Sequence, residues 1–199
     1  LDLPVVVVDD GSTDATAAEA EKGGATVLRH ARNQGKGAAL GTGFSHARGR
    51  GYEAVITLDG DGQHDPADIP AFLTAYGRGG ATVIVGNRMA DTGRMPRVRR
   101  GTNWLMSWLL SRLMGQTVPD TQCGFRLYRC DALPAQPLSS ARYAAESEIL
   151  LELANAGARI GAVPVRTIYC GETSKINPVI DTCRFCAMML RQQLRRKRS

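Results

Sequence analysis

The sequence predicts an α/β domain, a mostly parallel sheet flanked by helices, and three observations predict it. Short β-branched runs alternate with helix-length stretches through the first half. Two of those runs end in acidic, glycine-containing turns. At 199 residues, 43% of them hydrophobic and 22% charged, the chain can bury one sizeable core without disulfides or a structural metal.

Taken in order, residues 5–8 are all valine and read as a fully buried strand. Asp9-Asp10-Gly11-Ser12-Thr13-Asp14 is turn chemistry. Thr13 or Asp14 then caps a helix running to Lys22, which Gly23-Gly24 stops. Residues 25–29 form a second strand. Asn33-Gln34-Gly35-Lys36-Gly37 is a loop opening a helix that ends near Gly49 or Gly51. Strand 54–58, an acidic turn over 59–66, a helix from Ala67 to Gly77 and strand 81–86 follow. This β-α-β-α-β-α-β order calls for crossover-connected parallel strands. In such sheets ligands bind beyond the carboxyl ends of the strands, where both acidic turns lie.

The second half is less regular. Residues 87–100 read as a basic loop, 102–114 as a helix carrying Trp104 and Trp108, and 124–129 as a short strand. A proline-broken stretch, a helix over 146–156 and a strand over 159–168 follow. Asn177 caps a last helix with Pro178 at its first position. The organisation expected is a catalytic domain over 1–176 and a basic amphipathic helix over 177–199.

Net charge is +6, which points to a polyanionic partner: nucleic acid, a phosphorylated ligand or anionic lipid. The excess is clustered in Arg94, Arg97, Arg99 and Arg100, and again in Arg191, Arg195, Arg196, Lys197 and Arg198. No nucleic-acid recognition motif accompanies it. Five cysteines, an odd number, suit a reducing compartment. Cys183 and Cys186 form a CxxC without a second pair, so they read as buried thiols rather than a zinc site. No apolar run approaches the ~20 residues of a membrane-spanning helix. The chain opens at Leu1 almost directly in a strand-like run and reads as a fragment.

The strongest chemical signal is the run from Val55 to His64. An apolar strand delivers Asp59 and Asp61 to its open end, one residue apart. In extended backbone such residues point the same way, so both carboxylates can face one hard cation, Mg²⁺ or Mn²⁺. Gln63 adds an amide oxygen, and Gly60 and Gly62 let a bulky diphosphate approach the backbone. The bland alternative is a solvated Asp-Gly turn. Asp9 and Asp10 end the first strand on the same edge and suit a base N–H or ribose hydroxyls. An Asx turn explains them equally well. Asp120 and Arg126, flanking Gly124-Phe125, read alone as an ordinary ion pair.

In this combination the chain resembles glycosyltransferase family 2, and within it the polyprenyl-phosphate sugar transferases. The resemblance runs in order through residues 5–16, 32–40, 56–66, 85–88, 120–129, 143–157 and 163–185. It implies the GT-A fold, with a Rossmann-like sheet and a nucleotide-diphosphate sugar as donor. It also implies an opening strand, ending in a Pro-x-x-Asn-Glu-like motif, that should precede residue 1. By position, Val8 and Asp10 match nucleoside contacts, with Asp9 nearby. Asp59, Gly60, Asp61 and Gln63 match the metal and diphosphate motif. Arg88 matches a basic residue at the nucleotide-sugar site, and Arg126 one near the donor phosphates. Lys36 is a phosphate or acceptor contact, although the GxxxxGK[ST] spacing of a P-loop is missing.

The implied reaction is inverting attack at the anomeric carbon as a GDP or UDP leaving group departs. A hydroxyl acceptor needs a general base, for which Asp120, Glu146 and Glu148 are candidates. A polyprenyl phosphate is already ionised and needs none, and the arginine cluster suits it. The Trp104/Trp108 helix and basic tail fit docking at the cytoplasmic face of a membrane, or equally a packed helix and a charged tail. Three alternatives remain beside this reading: transfer to a saccharide hydroxyl, a nucleotidyltransferase, and a non-catalytic module retaining the fold.

Overall fold

The computed structural model describes residues 3–93, 95–133 and 144–168, with Ala144 as backbone only. The elements run β1 (Val6–Asp9), α1 (Thr16–Lys22), β2 (Thr26–Arg29), α2 (Lys36–Gly49), β3 (Ala54–Thr57), α3 (Ile69–Gly77), β4 (Val83–Asn87), α4 (Arg97–Met114), β5 (Arg126–Arg129), α5 (Ala144–Asn155) and β6 (Ile160–Pro164). The expected alternation through the first half is therefore present. Arg94, the cysteines at 183 and 186 and the helix expected from residue 177 lie outside the described residues.

The strands form two sheets. β1 and β2 pair in parallel, from Val6 opposite Thr26 to Asp9 opposite Arg29. The second sheet has the order β3-β5-β4-β6, with β4 and β6 parallel and β5 antiparallel to both its neighbours. The reversal of β5 follows from the path of the chain. α4 starts after the carboxyl end of β4 and is about 27 Å long at 1.5 Å per residue. Its far end places the Gln116 side chain on Ala158 O and Ile160 N, at the amino end of β6. Residues 117–125 then return to the carboxyl edge, so β5 can only run back down.

The core lies around β4 and β5. Val83, Ile84, Val85, Leu127 and Tyr128 are buried between Phe72 on one side and Phe44, Ile149 and Leu150 of the helices. Phe72 stacks on Phe125 at 4.4 Å, and Phe44 meets Tyr128 edge-on at 5.3 Å. β1 departs from the expectation of full burial. Val5 is 59% exposed and Val6–Val8 are only half-buried. Among the described residues β1 is paired on one edge alone, because no strand hydrogen bonds join it to β3.

The basic segment is also not a loop throughout. Pro96, with φ −55°, sits at the N-cap of α4, so Arg97, Arg99 and Arg100 lie on its first turns. Among the described residues no helix is long and apolar enough to cross a membrane.

Candidate active site

The carboxyl ends of β1, β3, β4 and β6 and the amino end of β5 meet at one edge, and the charged residues gather there. β3 ends at Thr57, whose hydroxyl donates to Gly124 O at 3.0 Å and so ties the Asp59 turn to the segment entering β5. Asp59 Oδ1 lies 2.5 Å from Lys36 Nζ, which also lies 3.1 Å from Glu146 Oε1. Lys36 starts α2, where a cation opposes the helix dipole; the two carboxylates offset that cost. Glu146 lies in the first turn of α5, where the dipole favours it. Gly124 fits between the two acids only because it lacks a side chain: a Cβ there would stand 2.5 Å from Asp59 Oδ2 and 2.9 Å from Glu146 Oε1.

His64 completes this group. Its ring is buried against Phe125, with centroids 5.3 Å apart, and Nε2 is 3.6 Å from Asp59 Oδ2. That distance is too long for a hydrogen bond, and both ring nitrogens lack a partner. Burial by itself would raise the Asp59 pKa. The neighbouring His64 ring and the Lys36 ammonium outweigh it and hold the carboxyl well below the usual range. Burial likewise disfavours the charge on Lys36, but Glu146 and then Asp59 reverse this and push its pKa up.

Asp61 stands apart. It is exposed, and its Oδ1 accepts the Gln63 backbone N–H at 3.0 Å. Asp59 and Asp61 therefore have different partners, one a lysine and one its own turn. Gln63 Oε1 has a 3.5 Å contact from Arg99 of α4. Gly62 has φ +70°, which only glycine adopts readily, and a Cβ on Gly60 would meet nothing within 4 Å. The rest of the turn is clamped: Arg166 pairs with Asp65 at 3.1 Å and Asp68 at 3.0 Å, and Ile168 N–H donates to Gln63 O.

Asp10 is turned inward toward the α2 loop. Its carboxylate accepts the Gln34 and Gly35 N–H groups at 2.9 and 2.7 Å and meets His30 Nδ1 at 2.6 Å. It thus fixes the residues immediately before Lys36. Asp9 is buried, accepts Ser12 N–H at 2.8 Å and lies 3.1 Å from Arg29 Nε. The side chain of Val8 packs toward α2 at Gly43.

Arg88, Asp120 and Arg126 are all buried. Asp120 accepts Arg88 Nε and Nη2 at 2.8 and 3.0 Å, and the Arg88 backbone N–H besides. Arg126 is fully enclosed and donates to Cys123 O, Thr121 O, Glu146 O and the Tyr128 hydroxyl. Arg126 thus directs all three guanidinium nitrogens at protein groups, and Arg88 directs Nε and Nη2 at Asp120. Beside them, burial pushes the Cys123 thiol up to about 11.

Among the described residues no three acidic, histidine or cysteine side chains converge as a metal cage. The oxygens of Asp61 and Gln63 are hard donors on an open turn. Such a set suits Mg²⁺ or Mn²⁺ when water and phosphate oxygens complete the shell. A separate depression at the opposite, amino ends of β3 and β4 is lined by Tyr52, Glu53, Tyr76, Arg129 and Asp131, and its Arg129–Asp131 pair is solvent-exposed.

The fold is the GT-A fold, an α/β sheet whose acidic turns gather at its carboxyl edge. Solved structures agree. Glucosyl-3-phosphoglycerate synthase from Mycobacterium tuberculosis, in complex with Mn²⁺, UDP and phosphoglyceric acid, superimposes with a TM-score of 0.68 at 20% identity, covering 94% of this chain and 66% of that one. The sequence pattern of glycosyl transferase family 2 matches residues 1–135. An undecaprenyl-phosphate mannosyltransferase from Micrococcus luteus is 31% identical over 172 residues, 81% of this chain and 70% of the relative. A UDP-N-acetylglucosamine–dolichyl-phosphate N-acetylglucosaminyltransferase from Methanococcus voltae is 30% identical over 187 residues, 83% and 74% respectively. The chain belongs to glycosyl transferase family 2 and is a glycosyltransferase by class.

Two participants were underweighted by the sequence. His64 directly follows Gln63 in the acidic turn, but nothing local announces that its ring folds back under Asp59. Glu146 was a candidate base; its pairing with Lys36 joins distant segments and has no local signal.

Proposed function

We propose that this domain transfers a sugar from a GDP- or UDP-activated donor to a polyprenyl phosphate, with inversion, at the cytoplasmic face of a membrane. The observation that carries the acceptor assignment is the state of the candidate bases. Asp120 is held by Arg88, Glu146 by Lys36, and Glu148 is buried. A hydroxyl acceptor needs a base to take its proton, whereas a phosphate oxygen attacks already ionised. The names of the 30–31% identical relatives support the same choice.

In this reading an acceptor phosphate oxygen attacks the anomeric carbon. The bond from that carbon to the donor diphosphate breaks, and the nucleoside diphosphate leaves with the electron pair. Asp61 and Gln63, with Asp59 behind them, would hold Mg²⁺ or Mn²⁺, which supplies positive charge to the leaving diphosphate when bound. Lys36 adds a fixed cation a few ångströms from that turn. Asp10 sets the height of Lys36 through the loop amides. Arg88 and Arg126 act as scaffold for the residues 120–126 segment that backs the site. Residues 1–176 would form the catalytic unit, and 177–199 a basic appendage to it.

The test is transfer of labelled sugar from UDP- and GDP-sugars by the full-length protein in detergent, with undecaprenyl phosphate and Mn²⁺. Label should enter the organic phase only when the lipid phosphate and a divalent cation are both present. Label entering a saccharide acceptor instead would overturn the acceptor assignment, and consumption of a nucleoside triphosphate with sugar phosphate would overturn the reaction class.

A further inference from the structure

α4 is built inside-out. Its core side carries Asn103 and Ser107 beside Leu110 and Met114, all buried. Its solvent side carries Val98, Trp104, Leu105 and Trp108, which are 74%, 60%, 47% and 45% exposed. The serines among the inward polar groups have a task, whereas the Asn103 Nδ2 is buried without a partner. Ser107 Oγ accepts the Thr121 N–H at 2.9 Å, and Ser111 Oγ accepts the Val118 N–H at 2.9 Å. They latch the segment that holds Asp120 on Arg88.

At about 100° per residue, Trp104, Trp108, Leu105 and Val98 fall within one arc of roughly 120°. Exposed Arg97, Gly101 and Arg112 share that arc, and Arg100 borders it. Arg112 lies over the Trp108 ring at 5.4 Å, which leaves the pair amphipathic. No acidic residue occurs anywhere on α4. Three arginines in its first turns add to the positive end of the helix dipole. The face is therefore apolar and cationic together, on a helix that is not long and apolar enough to cross a bilayer.

We propose that this face of α4 is an interfacial docking surface for an anionic lipid bilayer, with the helix lying in the membrane plane. Tryptophan favours the headgroup zone, and arginine beside it attracts anionic headgroups. Charge selects lipid over a second copy of the chain, because a symmetric α4 pair would set arginines against arginines. Arg99, roughly 160° round the helix from the centre of this face, contacts Gln63, so the acidic turn packs on the protein side of α4 and leaves the docking face clear. The inference deepens the lipid-acceptor reading and rests on it, but its test uses neither donor nor acceptor.

Trp104 and Trp108 are the only two tryptophans of the chain, so intrinsic fluorescence reports this face alone. The 199-residue chain is mixed with phosphatidylcholine vesicles with and without 30% phosphatidylglycerol, and flotation is measured in parallel. The expected result is a blue shift and protection from acrylamide with the anionic vesicles only. Replacing Arg97 and Arg100 by Gln should weaken vesicle binding about fivefold for each arginine. The double variant Trp104→Ser/Trp108→Ser, checked for an unchanged fold by circular dichroism, should lose flotation. Three results would overturn the proposal: tryptophans already shielded from acrylamide without lipid, flotation that persists in the double tryptophan variant, or no preference for anionic vesicles. Loss of sugar transfer with vesicle binding intact would count against the proposed reaction and leave the docking surface standing.

Discussion

The Arg88–Asp120 pair and the Lys36–Asp59–Glu146 group share one sheet edge, yet they are wired to opposite ends. Asp120 takes a two-pronged hold on Arg88 and accepts its backbone N–H, out of reach of solvent. Nearby Arg126 spends its donors on three carbonyls and a hydroxyl. In the other group Asp59 and Lys36 stay partly open, and His64 has two unpartnered nitrogens. A saturated, sealed cluster can only hold shape. A half-open cluster with unspent hydrogen-bonding capacity can exchange partners when an anion or cation arrives. Residues 120–126 join the two, with Asp120 at one end and Gly124 against Asp59.

Breaking the sealed side should have the largest effect on stability. Arg126→Met leaves buried carbonyls of Thr121, Cys123 and Glu146 unsatisfied, and should cost about 3–5 kcal/mol in denaturant unfolding. A loss below about 1 kcal/mol would show that Arg126 is not the scaffold of this edge.

The open side should break differently. Gly124→Ala forces Asp59 and Glu146 apart, and should lower sugar transfer about 10²-fold while the protein stays folded. Full activity in that variant would mean that the close approach of the two acids is incidental.

The pH response gives the smallest and finest separation. The Asp59 pKa is depressed, so its contribution to stability is complete above about 3.9 and is lost only as pH falls through the lower folded value. The Lys36 pKa is raised, so its contribution is complete below about 10.4 and is lost as pH rises through the higher folded value. Neither Asp59 nor Lys36 should therefore give the stability difference between the protein and Asp59→Asn a slope from about pH 5 to pH 9. The difference made by Asp59→Asn in a His64→Phe background, which removes the third group of the cluster, should be flat there. A slope in that window would place the cluster's proton equilibrium elsewhere.

These contrasts also show what was legible in the sequence. The order of strands and helices was, because alternating periodicity is local. The position of the acidic turns at the sheet edge followed from it. The direction of β5 was not legible, because it depends on how far α4 carries the chain before residues 117–125 return. Nor was the exposure of Val5: a valine run encodes an apolar strand but not how many neighbours it finds. Arg126 and Lys36 are the sharpest pair. Both are single cations within two residues of a glycine, yet one is entombed and the other stands between two acids. Glu146 of α5 meets both, Arg126 through its backbone carbonyl and Lys36 through its carboxylate, and that long-range placement has no local signal.

The central claim is that the Asp59–Gln63 turn holds the donor diphosphate through a divalent cation. It is tested most directly by the affinity for UDP and GDP, measured calorimetrically with and without Mn²⁺, in the protein and in Asp61→Asn. The account predicts tighter binding of one nucleotide with Mn²⁺ in the protein, and no gain from Mn²⁺ in the variant. Equal affinity with and without the metal, unchanged by Asp61→Asn, would contradict it.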